Sequence, residues 1–225
     1  MYIGRIMHTN LITTTPNASL VEAKEIIESK KIDHLLVVNE QGKLVGILSD
    51  RDLKQYWASP ATTLSNHELG YVLDKILVKM IMVETIVTVT PDTTIERAAY
   101  IMQTNNINSL PVMEQNELVG IITSTDVMGV LLEAIGMHED SVRISVLVDD
   151  RIGKLAEVTA VLKDHSINIQ SLFAWPVRKH PGIHQLVLRL SGEDGPKAVV
   201  ALNKNNFKVL TRYVKDLGPY LPESV

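Results

Sequence analysis

Apolar positions in the first half of the chain repeat. Ile6, Met7, Ala23, Ile26, Ile32, Leu35 and Val37 are matched 75 residues later by Ile81, Met82, Ala98, Ile101, Ile107, Leu110 and Val112. Thr13, Thr15 and Pro16 recur as Thr88, Thr90 and Pro91. After one deletion the match resumes 74 residues on, with Leu44-Val45-Gly46-Ile47 and Asp52 aligned with Leu118-Val119-Gly120-Ile121 and Asp126. A skeleton used twice predicts two like units in a pseudo-two-fold arrangement. Within each, the pattern reads strand, helix, strand, strand, helix. Leu11–Thr15 is a short strand stopped by Pro16. Leu20, Ala23 and Ile26-Ile27 have helical spacing, and Ser19 with Glu22 forms a capping box. Leu35–Asn39 and Leu44–Leu48 read as a hairpin, and a helix follows from Asp50. The second copy repeats this with Ile86–Thr90, Ile95–Gln103, Leu110–Met113, Leu118–Thr123 and Thr125–Ile135.

The periodicity places the first unit at 1–57, a connector at 58–75 and the second unit at 76–136. The connector carries Leu69, Val72-Leu73 and Ile76-Leu77 at helical spacing, so His67–Leu77 is expected to be a packed helix. Glu139-Asp140 read as a solvated hinge. A third region, 140–217, has a different rhythm. Val142–Val148, Asn168–Trp175, Ile183–Leu190 and Phe207–Val214 read as strands, with helices from Leu155 to His165 and over Pro196–Leu202. That order is βαββαβ, the ferredoxin-like arrangement. The predicted fold class is therefore mixed α/β (α+β).

Composition narrows the chemistry. The 225 residues are 45% hydrophobic and 21% charged, with a formal net charge of −4. No long basic run exists, which argues against nucleic-acid binding by charge. Cysteine is absent, so disulfides, thiolate ligands and a cysteine nucleophile are excluded. No apolar run approaches the ~18 residues of a membrane span, and the first residues lack a signal-peptide core. A cytoplasmic protein with no membrane partner is expected. Of the seven histidines only His180 and His184 have His-x-x-x-His spacing, and they straddle Pro181-Gly182, which reads as a loop rather than a helix face, so no metal is expected. Neither a Gly-x-Ser-x-Gly elbow nor a phosphate loop occurs, so no catalytic residue is assigned. Met80, Met82, Met102, Met113 and Met128 read as core filler.

Each copy ends in a polar run at a strand-to-helix junction: Gly46-Ile47-Leu48-Ser49-Asp50-Arg51-Asp52, and Gly120-Ile121-Ile122-Thr123-Ser124-Thr125-Asp126. Two readings stand side by side. Ser49 and Thr123 suit the N-cap, with an acid three residues on in the first turn. The same junction offers free N–H groups to a phosphate, a hydroxyl to its oxygens and an Asp to a ribose diol.

The Thr-x-Thr-Pro strand, the Ile-x-x-Leu lead-in and the Gly-x-x-(Ser/Thr)-x-x-Asp run, each present twice, resemble CBS domains in tandem. The resemblance implies adenine nucleotides (AMP, ADP or ATP) or S-adenosylmethionine as regulatory ligands. It implies a phosphate- and ribose-binding pair at Ser49 and Asp52 in one cleft and Thr123 and Asp126 in the other. Ile12-Thr13 and Val87-Thr88 would line the base, and His34 and Ser109 would face phosphate. His34 would supply positive charge, favouring that side for a phosphate chain. Copy two keeps Leu110-Pro111-Val112 where copy one has Leu35-Leu36-Val37.

The run Asp149-Asp150-Arg151-Ile152-Gly153-Lys154-Leu155, followed by Asn168, resembles ACT domains, which implies an amino-acid ligand. Gly153 would let backbone approach it, Asp149 or Asp150 would meet an ammonium, and Asn168 would touch its other side. The alternative is a tight, solvated β–α turn; Ile152 stands where that family usually has Pro. The combination resembles acetoin-utilisation proteins of the AcuB type. It implies a regulatory protein, a homodimer, acting on a partner enzyme or through assembly. The alternatives are an interaction scaffold with empty clefts, or an enzyme using Asp52, Asp126 or His34 as acid or base.

Overall fold

The computed structural model describes residues 1–56, 71, 73–137 and 140–222. The chain divides into two compact units, Met1–Met128 and Gly129–Val225; the sequence boundary had been placed after Gly136. Most of the expected connector, His67 included, and Glu139 of the expected hinge lie outside the described residues. Tyr71, Leu73 and Asp74 are helical, and Leu73 is buried in the first core.

In the first unit, copy one contributes β1 (Thr13–Thr14), α1 (Leu20–Lys30), β2 (His34–Val38), β3 (Leu44–Ser49) and α2 (Asp50–Tyr56). Copy two contributes α3 (Ile95–Asn105), β4 (Ser109–Glu114), β5 (Glu117–Thr123) and α4 (Ser124–Ala134). The Ser19–Glu22 capping box forms, each residue's side chain accepting from the other's backbone N–H. Lys31 and Asn106 close α1 and α3 in the left-handed conformation, at φ 54° and 52°. Both hairpins carry a register shift at the same place, after Val37 and after Val112.

One strand departs from expectation. β1 pairs parallel with β2 through Thr13–Leu36 and Thr14–Val37. Its counterpart, expected over Ile86–Thr90, is reduced to a single bridge between Val89 and Val112. Pro111 stands where copy one has Leu36. Its carbonyl accepts from Val89 N at 3.1 Å, but proline has no N–H to return.

The repeats also exchange their leading arms, so neither is a self-contained unit. The 3₁₀ turn Val78–Met80 belongs to copy two in sequence, yet Val78, fully buried, packs in the copy-one core with Leu20, Ala23, Leu35 and Leu48. Val78 N donates to Ala18 O, Lys79 N to Pro16 O, and Val83 and Ile47 exchange both backbone bonds at 2.9–3.0 Å. The first arm does the same to copy two: Ile3 N to Thr93 O, Gly4 N to Pro91 O, and His8 with Ile121. Two glycines admit the arms. A Cβ on Gly46 would run into the Met82 sulfur, and one on Gly120 into that of Met7. Met82 is thus packed as expected, whereas Met80 and Met128 are exposed: Met80 ends a surface turn and Met128 lies on the open face of α4.

The second unit runs β6 (Ser141–Asp149), α5 (Lys154–Asp164), β7 (Ser171–Pro176), β8 (Ile183–Ser191), α6 (Asp194–Lys204) and β9 (Val209–Leu210). Its antiparallel sheet has the order β7-β8-β6-β9, the split βαββαβ arrangement. Ile144, Val146 and Val148 alternate toward the helices and meet Leu186, Leu188, Leu190, Val158, Leu162, Ala198 and Leu202. The last strand is shorter than expected, and β7 begins at Ser171 rather than Asn168. Among the described residues no helix is long and apolar enough to cross a membrane.

The arm exchange is testable by a double-mutant cycle. Gly46→Val should destabilise the protein by about 1–3 kcal/mol through overpacking. Met82→Ala should be non-additive with it, because removing the thioether vacates the space the new side chain needs. Urea unfolding of the two single variants and the double variant reads the coupling; strict additivity would mean that the arm does not sit on Gly46.

Candidate functional site

The exchange brings the second arm across the first hairpin and leaves a cleft of ≈ 510 Å³ between the copies. One wall is the end of β3 and the start of α2, with Ile47, Ser49 and Asp52. Opposite it runs the chain that follows the Ile47–Val83 bridge, through Thr85, Ile86 and Val87. Copy two adds Ser109, Pro111 and Thr123–Thr125. The antiparallel register sets His34 beside Ser49 and Ser109 beside Thr123, so the hairpins position these side chains at the helix starts.

The cleft therefore gathers Ser49, Asp52, His34, Val87, Ser109 and Thr123 from the sequence-derived candidates. Ile12, Thr13, Thr88 and Asp126 do not line it. Thr123 was grouped with Asp126 in a separate cleft, yet it also faces this one, because the exchanged copies lie against each other. Arg51, Lys54, Asp33 and Thr85 line the cleft too and were missed. Arg51 and Lys54 stand on α2, outside the Gly, Ser and Asp positions shared by the two polar runs, where only their charge could have drawn notice.

Both polar runs form reciprocal caps. Asp52 Oδ2 accepts from Ser49 N at 2.8 Å and Ser49 Oγ at 2.6 Å, while Asp52 N donates back to Ser49 Oγ at 3.2 Å. Asp126 and Thr123 repeat these bonds at 2.8, 2.6 and 3.3 Å. The local capping reading thus holds for both. It also changes the chemistry, since each hydroxyl's proton is already directed at its own carboxylate. A ligand phosphate would have to draw that proton away.

The two carboxylates differ at their second oxygen. Asp126 Oδ1 accepts from His8 Nε2 at 3.0 Å. Burial opposes ionisation of Asp126, but the hydrogen bonds from the Thr123 hydroxyl, the Thr123 N–H and His8 outweigh it and hold the carboxyl below its usual range. His34 behaves against expectation. Burial lowers its pKa, with Arg51 adding to that effect and Asp33 and Asp52 opposing it. Its Nδ1 is buried with no hydrogen-bond partner among the described residues. A neutral imidazole is therefore favoured, and the cations lining this cleft are Arg51 and Lys54, of which Lys54 is paired with Asp50.

In the second unit, Gly153 adopts φ 92° at the start of α5. Open space surrounds the position where its Cβ would be, so the backbone angle, not crowding, calls for glycine. A cavity of ≈ 320 Å³ lies beside it, lined by Asp149, Arg151, Lys154, Glu157, Phe207 and Lys208 among others. Asp149 faces this cavity; Asp150, Gly153 and the exposed Asn168 do not. Asp150 instead pairs with His184 at 3.4 Å. Among the described residues no cluster of three or more His, Asp and Glu side chains could hold a metal ion.

Comparison with known proteins fits this geometry. The CBS-domain family profile matches residues 3–59 and 78–133, half of the chain. The homoserine O-acetyltransferase of Methanohalobium evestigatum is 29% identical over 133 residues, covering 59% of this chain and 24% of that protein. This chain spans about a quarter of that relative's length. A CBS-domain containing protein from Agrobacterium tumefaciens, at 23% identity and TM-score 0.51, covers 58% of this chain and 99% of its own, and shares the fold. The CBS domain pair of protein MJ0100, solved with 5′-methylthioadenosine and S-adenosyl-L-methionine, is 28% identical, with TM-score 0.48 and coverage of 58% and 95%.

Two outcomes check the local chemistry. Ser49→Ala should cost about 1 kcal/mol through loss of the cap, read by urea unfolding. His34 gives a pH signature. The unfolded chain takes up the imidazole proton near pH 6.5 and the folded chain at lower pH, so its contribution is complete above about 6.5 and is lost as pH falls below that. Stability measured between pH 7.5 and 5.5 should therefore fall less steeply in His34→Asn than in the unaltered protein.

Proposed function

Given that the chain belongs to the CBS-domain family, we propose that it is a regulatory ligand-sensing protein whose inter-copy cleft takes an adenine nucleotide or a related adenosyl molecule. The observation that carries this reading is the ≈ 510 Å³ cleft, a volume suited to a drug-sized ligand. Its wall joins a helix N-terminus with Asp52, Ser49 and Arg51 to the apolar strip of Ile86 and Val87. A carboxylate suits a ribose diol, a guanidinium suits phosphate, and an apolar strip suits a base. With His34 favoured neutral, the phosphate contact falls to Arg51.

The proposal extends to the second unit as an ACT-type domain. Its support is the β7-β8-β6-β9 sheet and the cavity beside Gly153. There Arg151, Lys154 and Lys208 suit a carboxylate and Asp149 an ammonium, so an amino acid fits the chemistry. The edge strand β7 offers unpaired backbone groups that a second copy would satisfy, which supports a homodimer. Output is proposed to pass to a partner enzyme or to assembly. A link to acetoin utilisation rests on the combination of domains alone.

Calorimetric titration and thermal unfolding against AMP, ADP, ATP, S-adenosylmethionine and a set of amino acids test the reading. A ligand at 100 times its Kd should stabilise the fold by about 2.7 kcal/mol. We expect a nucleotide-specific rise that Asp52→Asn and Arg51→Ala each reduce. No rise with any adenosyl compound would reject ligand sensing by this cleft and leave a scaffold as the better account.

A further inference from the structure

The exchanged halves correspond through the arms and caps until the last residue of each arm. Val83 bridges Ile47, and at the equivalent place His8 bridges Ile121. In both caps the Asp Oδ2 accepts two bonds from the capping residue, Ser49 or Thr123. Oδ1 is then the oxygen left for an incoming donor. On Asp126 it is engaged by His8 Nε2 at 3.0 Å. On Asp52, Oδ1 has no protein donor among the described residues, and valine at the end of the second arm has none to give.

We propose that His8 is a specificity-determining residue that makes the two halves unequal, by competing with ligand hydroxyls for Asp126. The inference rests on the reading of these caps as parts of ribosyl-ligand sites. A vicinal diol brings two O–H donors, and a carboxylate with one oxygen already doubly engaged must receive them largely on the other. Asp52 offers that oxygen open. At Asp126 the imidazole must first leave. Its side chain is 61% exposed, so it can turn into solvent, and the contact it gives up is of the weak, solvated kind. The resulting handicap is about fivefold in affinity, the equivalent of ~1 kcal/mol. One ligand per chain would therefore bind ahead of a second, at the Asp52 side.

AMP and 2′-deoxy-AMP titrated into three variants test this. Asp52→Asn leaves Asp126 as the carboxylate for a diol, and Asp52→Asn with His8→Val adds the residue found at the matching place. The double variant should bind AMP about fivefold tighter than Asp52→Asn, and the gain should be smaller for 2′-deoxy-AMP, which lacks one donor. Equal affinity in the two variants overturns the role of His8. So does an equal gain for both nucleotides, which would mean that His8 only narrows the space. Asp126→Asn, with Asp52 intact, separates this failure from a deeper one. If it too takes no AMP, the ligand reading falls and this inference with it; if it binds while His8→Val gains nothing, this inference alone falls.

Discussion

The arm exchange is the constraint on which the first unit depends. Val78 is fully buried in a core built mainly from copy one, and Ile3, equally buried, is hydrogen-bonded into copy two. Removing an arm would open a large cavity in the opposite core, a change that costs several kcal/mol in packed interiors. Each copy is therefore incomplete without the other. The same exchange creates the cleft, because the strip Thr85–Val87 can face Ser49 and Asp52 only if Val83 has first been pinned to Ile47. Stability and site come from one geometric device.

The polar runs show a second economy of parts. At the start of α2 the Asp52 N–H is held by Ser49 Oγ, the Ser49 N–H by the Asp52 carboxylate and the Asp50 N–H by the Asp33 carbonyl. Those groups are also the ones a phosphate would seek. A ligand must consequently exchange one set of hydrogen bonds for another rather than fill an unsatisfied site. Under the proposed function, binding would therefore have to redistribute the bonds at the first turn of α2, and a helix start so altered is a means by which a bound molecule shifts a conformational equilibrium.

The repeat, the hairpins and the helix caps were legible because each leaves a local pattern in a few consecutive residues. The exchange was not, since Val78 sits near copy two in sequence and only tertiary contact shows that it completes copy one. Its trace was present in the paired Gly46 and Gly120 and the paired Met82 and Met7, but reading it requires knowing that glycine and methionine meet across the copies. The loss of the second parallel strand could have been read from Leu36 becoming Pro111, because proline's missing donor is a local fact. His34 misled for a different reason: the resemblance placed it before a phosphate as a source of positive charge, and only its burial shows what disfavours the charged form. In the second unit the strand order was readable from periodicity, whereas the ends of the last strand and of β7 depend on which backbone groups find partners.

The differences between the copies are unevenly placed. The arms, the buried anchors and the reciprocal caps agree closely in partners and distances. The departures include Leu36 against Pro111, His34 against Ser109, Arg51 against Thr125, and Val83 against His8. His34, Ser109, Pro111 and Val83 line the cleft, and His8 holds the carboxylate that corresponds to Asp52. The exchange tolerates little change, since an arm that no longer fits its partner empties a core. Residues facing solvent-filled space carry no such penalty and can diverge without unfolding the pair. A duplicated fold under this constraint retains its two-fold frame while its clefts become chemically distinct. Two halves held to one frame are for that reason free to differ in the chemistry of their clefts.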